Sequence, residues 1–251
     1  MKYIQSTDNK YVKLVKSLQQ GKYRQKNSMF FDEGIKNIEL SLKSNYKMNF
    51  VLIREYFKNT SLIKSLEEKL GEDKILVLNE KIFTSISDTV NSQGIIAVYD
   101  MKKDEDIKSD KILILDRIQD PGNIGTIIRT AESFSINTIF YTKGTADVFS
   151  PKVVRATMGS IYFVNFVKLE DISKLKSEGY KIYASCLEDA ISSKSAFTDE
   201  KTALILGNES MGISEDLINQ SDKKIKIDMT GNAQSLNVAT AGAILIYEMC
   251  K

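Results

Sequence analysis

The 251-residue chain contains no histidine and no tryptophan, and its only cysteines are Cys186 and Cys250. Without histidine there is no imidazole general base, no Ser-His-Asp arrangement and no histidine metal ligand. Two cysteines so far apart suit neither a zinc nor an iron–sulfur cluster, and a single disulfide would be an odd brace for a chain this long. No metal is therefore expected, and a reducing cytoplasm is the expected compartment. No apolar run of about 18 residues occurs and the polar start MKYIQSTDNK does not read as a signal peptide, so neither membrane insertion nor secretion is expected. No GxxxxGK[ST] occurs, and the glycine-bearing loop at 207–214 lacks GxGxxG spacing. Classical P-loop and dinucleotide binding thus lose their main support.

What is present describes an ordinary globular protein: 42% hydrophobic and 27% charged residues, with a net charge of +2. The charge is unevenly placed. The first 26 residues hold seven Lys or Arg against Asp8 alone, whereas residues 111–251 are close to neutral. Such a basic arm fits a polyanion partner such as nucleic acid, and would serve equally as a solvated surface. Lys10, Lys13, Lys22, Arg24 and Lys26 are the candidate phosphate contacts here, with Lys152 and Arg155 as a second group before MGS at 158–160. Tyr11, Tyr23, Phe30 and Phe31 could stack on bases or fill a core.

The pattern along the chain changes near residue 100. Residues 1–100 read as a mixed α and β domain, with helices over 10–18, 32–43 and 61–70 and strands over 48–53, 74–78 and 92–100. Residues 101–110, MKKDEDIKSD, are charge-dense without aliphatic periodicity and read as a linker. Residues 111–251 alternate strand and helix. Strands are expected at 111–116, 136–141, 161–166, 180–184, 202–207 and 224–229, and an apolar helix at 236–249. That alternation predicts an α/β domain with a mostly parallel sheet.

Ligands of such sheets bind beyond the carboxyl ends of the strands. Three loops fall there: DRIQDPGNIG at 116–125, GNESMGIS at 207–214 and DMTGNAQSLNVA at 228–239. In the first, Pro121 and Gly122 make a turn and Asn123 is placed to cap a helix carrying Arg129 and Glu132. That Arg could clamp a phosphate or form a surface pair with Glu132. In the second, Gly207 and Gly212 permit close backbone approach around Asn208 and Glu209. In the third, Ser235 is a candidate N-cap and Asn237 a first-turn polar group of the last helix.

The ordered set N123xGxxxR129xxE132, GNExxG at 207–212 and SLN at 235–237 before an apolar helix resembles the three motifs of the SpoU, or TrmH-type, RNA ribose 2'-O-methyltransferases. The TDNKYVKLVKSL opening, EG at 33–34 and SQGIIAVYD are similar to the small L30e-like α/β domain that precedes the catalytic domain in many members. The resemblance implies S-adenosyl-L-methionine as cofactor, held by Leu206, Gly207, Asn208, Gly212, Ile227, Met229, Ser235 and Leu236. It implies a catalytic set of Arg129, Asn123, Glu209, Ser235 and Asn237, with Glu132 holding Arg129. It further implies a deep C-terminal trefoil knot, a homodimer in which Arg129 approaches the partner's cofactor, and an RNA substrate. Large-subunit (23S) ribosomal RNA is the expected substrate; a transfer RNA, a resistance-type ribosomal site, or RNA binding without catalysis are the alternatives. Ser210 and Gln234 depart from the family pattern, where Gly and an acid are common.

Overall fold

The computed structural model describes residues 1–102, 107 and 109–251, so most of the expected linker lies outside the described residues. The chain divides into two compact units, Met1–Lys103 with Asp147–Tyr162, and Asp104–Ala146 with Phe163–Lys251. The division expected from sequence was contiguous; here residues 147–162 leave the second unit and pack with the first.

The first unit is a mixed sheet with helices. It runs β1 (Lys2–Ile4), α1 (Lys10–Leu18), α2 (Gly21–Asn27), β2 (Met29–Glu33), α3 (Ile35–Ser41), β3 (Met48–Arg54), α4 (Thr60–Leu70), β4 (Ile75–Leu78), α5 (Glu80–Thr84) and β5 (Ile95–Asp100). The strand order is β1-β4-β3-β5-β2, with β1, β4 and β3 parallel and β5 antiparallel to both its neighbours. The single helix expected over 32–43 is instead a strand, a break and a shorter helix. Period-two alternation decides this. Phe31 joins the apolar cluster beneath α1, while Phe30 turns to an aromatic group with Tyr46, Tyr99, Phe149 and Tyr162. Gly34, at φ +131°, supplies the break before α3, a conformation that favours glycine. The short β1 and the helix α2 were not foreseen.

The second unit begins with β6 (Lys111–Asp116), α6 (Pro121–Ser133) and β7 (Thr138–Tyr141). The chain then contributes α7 (Pro151–Ala156) to the first unit and returns as β8 (Asn165–Lys168), α8 (Ser173–Ser177), β9 (Lys181–Ser185), β10 (Ile191–Ser192), β11 (Thr202–Gly207), α9 (Glu215–Asn219), β12 (Lys223–Lys226) and α10 (Val238–Cys250). All pairings in the sheet, of order β10-β12-β9-β11-β6-β7-β8, are parallel. The aliphatic runs KILILD and TALILG form the adjacent strands β6 and β11, in a register that sets Gly207 opposite Asp116. Two functional loops therefore start side by side.

Three boundaries in this half differ from expectation. The strand expected at 161–166 begins later, as β8, because Ile161 and Tyr162 are buried in a short helical turn that ends the excursion. The strand expected at 224–229 stops at Lys226, and the last helix starts at Val238 rather than 236. Residues 227–237 are thus free of helix and strand, and their backbone groups belong to no ladder.

Candidate active site

The site grows from helix ends. Asp120, not Asn123, is the N-cap of α6: its carboxylate accepts from the Asn123 amide at 2.8 Å, and Pro121 fills the first helical position, where no N–H is needed. Relieved of capping, the Asn123 side chain works in both directions. Its Nδ2 donates to Glu209 Oε1 at 2.8 Å and its Oδ1 accepts from Asn237 Nδ2 at 3.0 Å. Asn237, not Ser235, caps α10, its Oδ1 accepting from the amides of Ala239 at 2.9 Å and Thr240 at 3.3 Å. One chain of hydrogen bonds, Glu209 to Asn123 to Asn237 to the start of α10, therefore joins all three loops.

A second polar hub lies at the end of β6. Asp116 is 2% exposed. Its Oδ1 accepts from Thr142 Oγ1 at 2.8 Å, and its Oδ2 from the Ser214 amide at 2.7 Å and Arg117 Nε at 3.3 Å. Arg117, in the left-handed region at φ +56°, donates its amide to the hydroxyls of Thr142 and Thr145 and its guanidinium to Gly212 O. Asn208 closes the hub, donating from Nδ2 to Arg117 O at 2.8 Å and accepting from the Ser210 and Met211 amides. A buried carboxylate satisfied by so many donors fixes the 208–214 loop. Sequence reasoning assigned no role to Asp116, Arg117, Thr142, Thr145 or Ser214. An acid closing an aliphatic strand was the available signal for Asp116; the two threonines carried none.

The 207–212 loop and the 227–238 segment enclose a cavity of about 350 Å³. Leu206, Gly207, Asn208, Glu209, Gly212, Ile227, Met229, Ser235 and Leu236 line it, together with Ser185, Cys186 and Leu187 after β9, whereas Asn123 and Asn237 do not. Burial pushes the Cys186 thiol up, keeping it neutral. At Gly207 an added Cβ would lie 2.5 Å from both Gly212 C and Ile213 N, so the strand end and the returning loop touch backbone to backbone. At Gly242 the added Cβ would lie 2.9 Å from Leu206, which shows how closely α10 packs on β11.

Arg129 is exposed on α6 and Glu132 is half-buried one turn on; neither lines the cavity. Of the expected RNA contacts, Lys10, Lys13, Lys22, Lys26 and Lys152 are exposed, Lys13 beside Asp8 at 2.7 Å, and Arg155 pairs with Asp88. Arg24 is a correction. Its side chain is 4% exposed, bound to Asp147 Oδ2 at 2.6 Å and to the carbonyls of Leu18 and Gln19, so it holds the first unit together and faces no RNA. Among the described residues no group of three or more Cys, Asp or Glu could hold a metal, and no helix is long and apolar enough to cross a membrane.

Comparison with known proteins places this geometry. Residues 110–247 match the SpoU rRNA Methylase family, and residues 9–97 the MRM3-like substrate binding domain. The 23S rRNA (guanosine(2553)-2'-O)-methyltransferase RlmP of Bacillus subtilis is 34% identical over 99% of both chains. The structure of an AdoMet-bound rRNA methyltransferase from Sinorhizobium meliloti superposes with a TM-score of 0.86 at 27% identity, covering 99% of this chain and 97% of that one. Fold, loops and likenesses together define an enzyme that methylates RNA. The chain belongs to the SpoU rRNA methylase family.

Proposed function

We propose that the protein transfers a methyl group from S-adenosyl-L-methionine to a ribose 2'-hydroxyl of large-subunit ribosomal RNA. The observation that carries this reading is the hydrogen-bonded chain Glu209–Asn123–Asn237, which ties Asn123 and Asn237, themselves outside the cavity lining, to Glu209, which is part of it. The cavity fits the cofactor. Its walls, from Leu206, Ile225, Ile227, Leu236 and Leu245, suit a flat purine, and residues 227–236 lie outside helix and strand, so their backbone is placed to meet a ligand. The bound sulfonium supplies an activated methyl group. Asn123 and Asn237 position the ribose, and Glu209 and Ser235 add hydrogen bonds at the rim. The neutral Cys186 thiol does not compete as a nucleophile. Arg129 acts by orientation, holding a substrate phosphate beside the hydroxyl and easing charge development on its oxygen.

Because Arg129 lies off the cavity, the reading includes a homodimer in which it reaches the partner's site. Phe134 on the end of α6 and Ile244 and Tyr247 on α10 are exposed and contiguous, with the rings of Phe134 and Tyr247 6.1 Å apart, and give that interface an apolar centre. The reading also includes the C-terminal trefoil knot past residues 202–214 and a cytoplasmic setting.

Labelled methyl transfer to unmodified ribosomal RNA and to transfer RNA, followed by nucleoside analysis, tests the reaction. A 2'-O-methylnucleoside in large-subunit RNA is expected. Product in transfer RNA alone would overturn the substrate, and RNA binding without product on either would leave a binding protein. Arg129→Ala should abolish transfer while cofactor affinity stays within about twofold.

A further inference from the structure

The first unit holds a cleft of its own, of about 320 Å³, at the end of the sheet where β2 finishes and β5 begins. Most of its lining residues carry polar side chains, and the cleft is internally braced. Glu33, 6% exposed, forms part of the lining, and its carboxylate accepts from Ser87 Oγ at 2.6 Å, Thr89 Oγ1 at 2.7 Å and the Asp88 amide at 2.9 Å, which fixes the 87–89 wall. Two lining amides are held with one end engaged. Asn37 donates its Nδ2 to Asp32 Oδ1, so that bond leaves its oxygen, and Gln93 accepts the Ile35 amide at 2.7 Å, so that bond leaves its NH2 group. A fixed acceptor and a fixed donor are what the edge of a nucleobase pairs with. Asn91 adds a third amide, and Lys36 and Arg155 add two cations, Arg155 being anchored on Asp88.

An exposed aromatic leaves the same end of the sheet. The Arg54 amide donates to Gly94 O, the residue after Gln93, and two positions on stands Tyr56. Tyr56 is 88% exposed and sits at φ +65°, a conformation that costs a non-glycine residue energy. By contrast Phe30 and Phe31 are buried, and Tyr11 packs edge-on against Phe50. Those three fill the core and Tyr23 is half-buried, while Tyr56, more exposed than Tyr3, presents an aromatic face at this end of the sheet.

We propose that this cleft receives one unpaired nucleotide of the substrate RNA, its base read by Asn37, Asn91 and Gln93, its phosphate held by Lys36 and Arg155, and an adjacent base stacked on Tyr56. The inference rests on the reading that the substrate is RNA. A cleft of this size admits a single flipped-out nucleotide and not a duplex, so the first unit selects RNA by an unpaired position and the basic face of α1 adds only general phosphate attraction.

The test uses the full chain carrying K36A with N91A, and separately Y56A. None of the three side chains donates or accepts a hydrogen bond that holds the fold, and melting temperature and S-adenosylmethionine affinity serve as controls. The probes are the tightest-binding of a set of unmodified large-subunit ribosomal RNA hairpins and the same stem closed as an uninterrupted duplex. Hairpin affinity should fall about tenfold or more in each protein variant, with duplex affinity within about twofold of wild type. In transfer assays KM for RNA should rise and kcat should hold. Unchanged hairpin affinity, or equal losses on hairpin and duplex, would overturn the proposal. Binding does not require transfer: a wild-type protein that shows the hairpin-specific losses yet yields no methylated product would overturn the proposed reaction and leave the cleft standing. Transfer with wild-type KM in both variants would do the reverse.

Discussion

Single side chains here often serve two ends at once, and substitutions can separate them. Asn237 caps α10 with Oδ1 and reaches Asn123 with Nδ2. Replacing it by Ala should cost about 1 kcal/mol, or about 2–4 °C in melting temperature, and also cut methyl transfer. Asn237→Ser keeps a capping oxygen but not the reach, so it should recover most of the stability and little of the transfer; calorimetry and the methyl-transfer assay read the two apart. Asp32 in the first unit is fully buried, and loss of hydration pushes its carboxyl up to about 6 despite hydrogen bonds from Tyr162, Asn37 and the Glu33 amide. A raised carboxyl pKa means that between about pH 4 and 6 the folded state holds a proton the unfolded chain has released. Stability therefore falls across that window and levels off above it, by about 3 kcal/mol for this group. Urea titrations from pH 4 to 7 should show a shallower fall in Asp32→Asn than in wild type; matching slopes would mean that Asp32 does not titrate in that window.

Elements explain why the site was only partly legible in the sequence. The aliphatic runs of β6 and β11 announced buried parallel strands, and the three loops at strand ends followed from them. What could not be read was which residue ends each helix. Asp120 and Asn123, or Ser235 and Asn237, are chemically interchangeable as caps, and the choice depends on partners far along the chain, such as Glu209. The Asp32–Lys43 error has the same origin: Phe30 and Phe31 face opposite sides of a sheet that local periodicity does not reveal. Close approach between elements is equally invisible. The Cβ of Gly207→Ala would meet backbone atoms at 2.5 Å, which cannot rotate away, so β11 and the 212–213 segment would have to part. Isothermal titration should show cofactor affinity falling by more than about tenfold, whereas Met211→Ala, exposed on the same loop and outside the cavity lining, should bind as wild type.

At the scale of the whole molecule, the proposed dimer makes the exposed apolar patch of Phe134, Ile244 and Tyr247 the link between assembly and activity. Tyr247→Glu should shift sedimentation from dimer to monomer and abolish transfer with cofactor binding kept; a monomeric, fully active variant would remove the crossed Arg129 from the mechanism. Arg24 makes the opposite kind of prediction. Because it is a buried brace to Asp147, Arg24→Ala should destabilise the protein by a few kcal/mol while leaving the salt dependence of RNA binding unaltered. The excursion of residues 147–162 also fixes an order of events during synthesis. Arg24 and Asp32 are made early, but their partners Asp147 and Tyr162 leave the ribosome more than a hundred residues later. At about 5–20 residues per second the first unit waits many seconds with each of these side chains short of one partner. Its closure is therefore post-dated to the middle of the second unit's emergence. A nascent chain stalled before residue 147 should remain protease-sensitive at its amino-terminal half, and one stalled once residue 162 has cleared the exit tunnel should not.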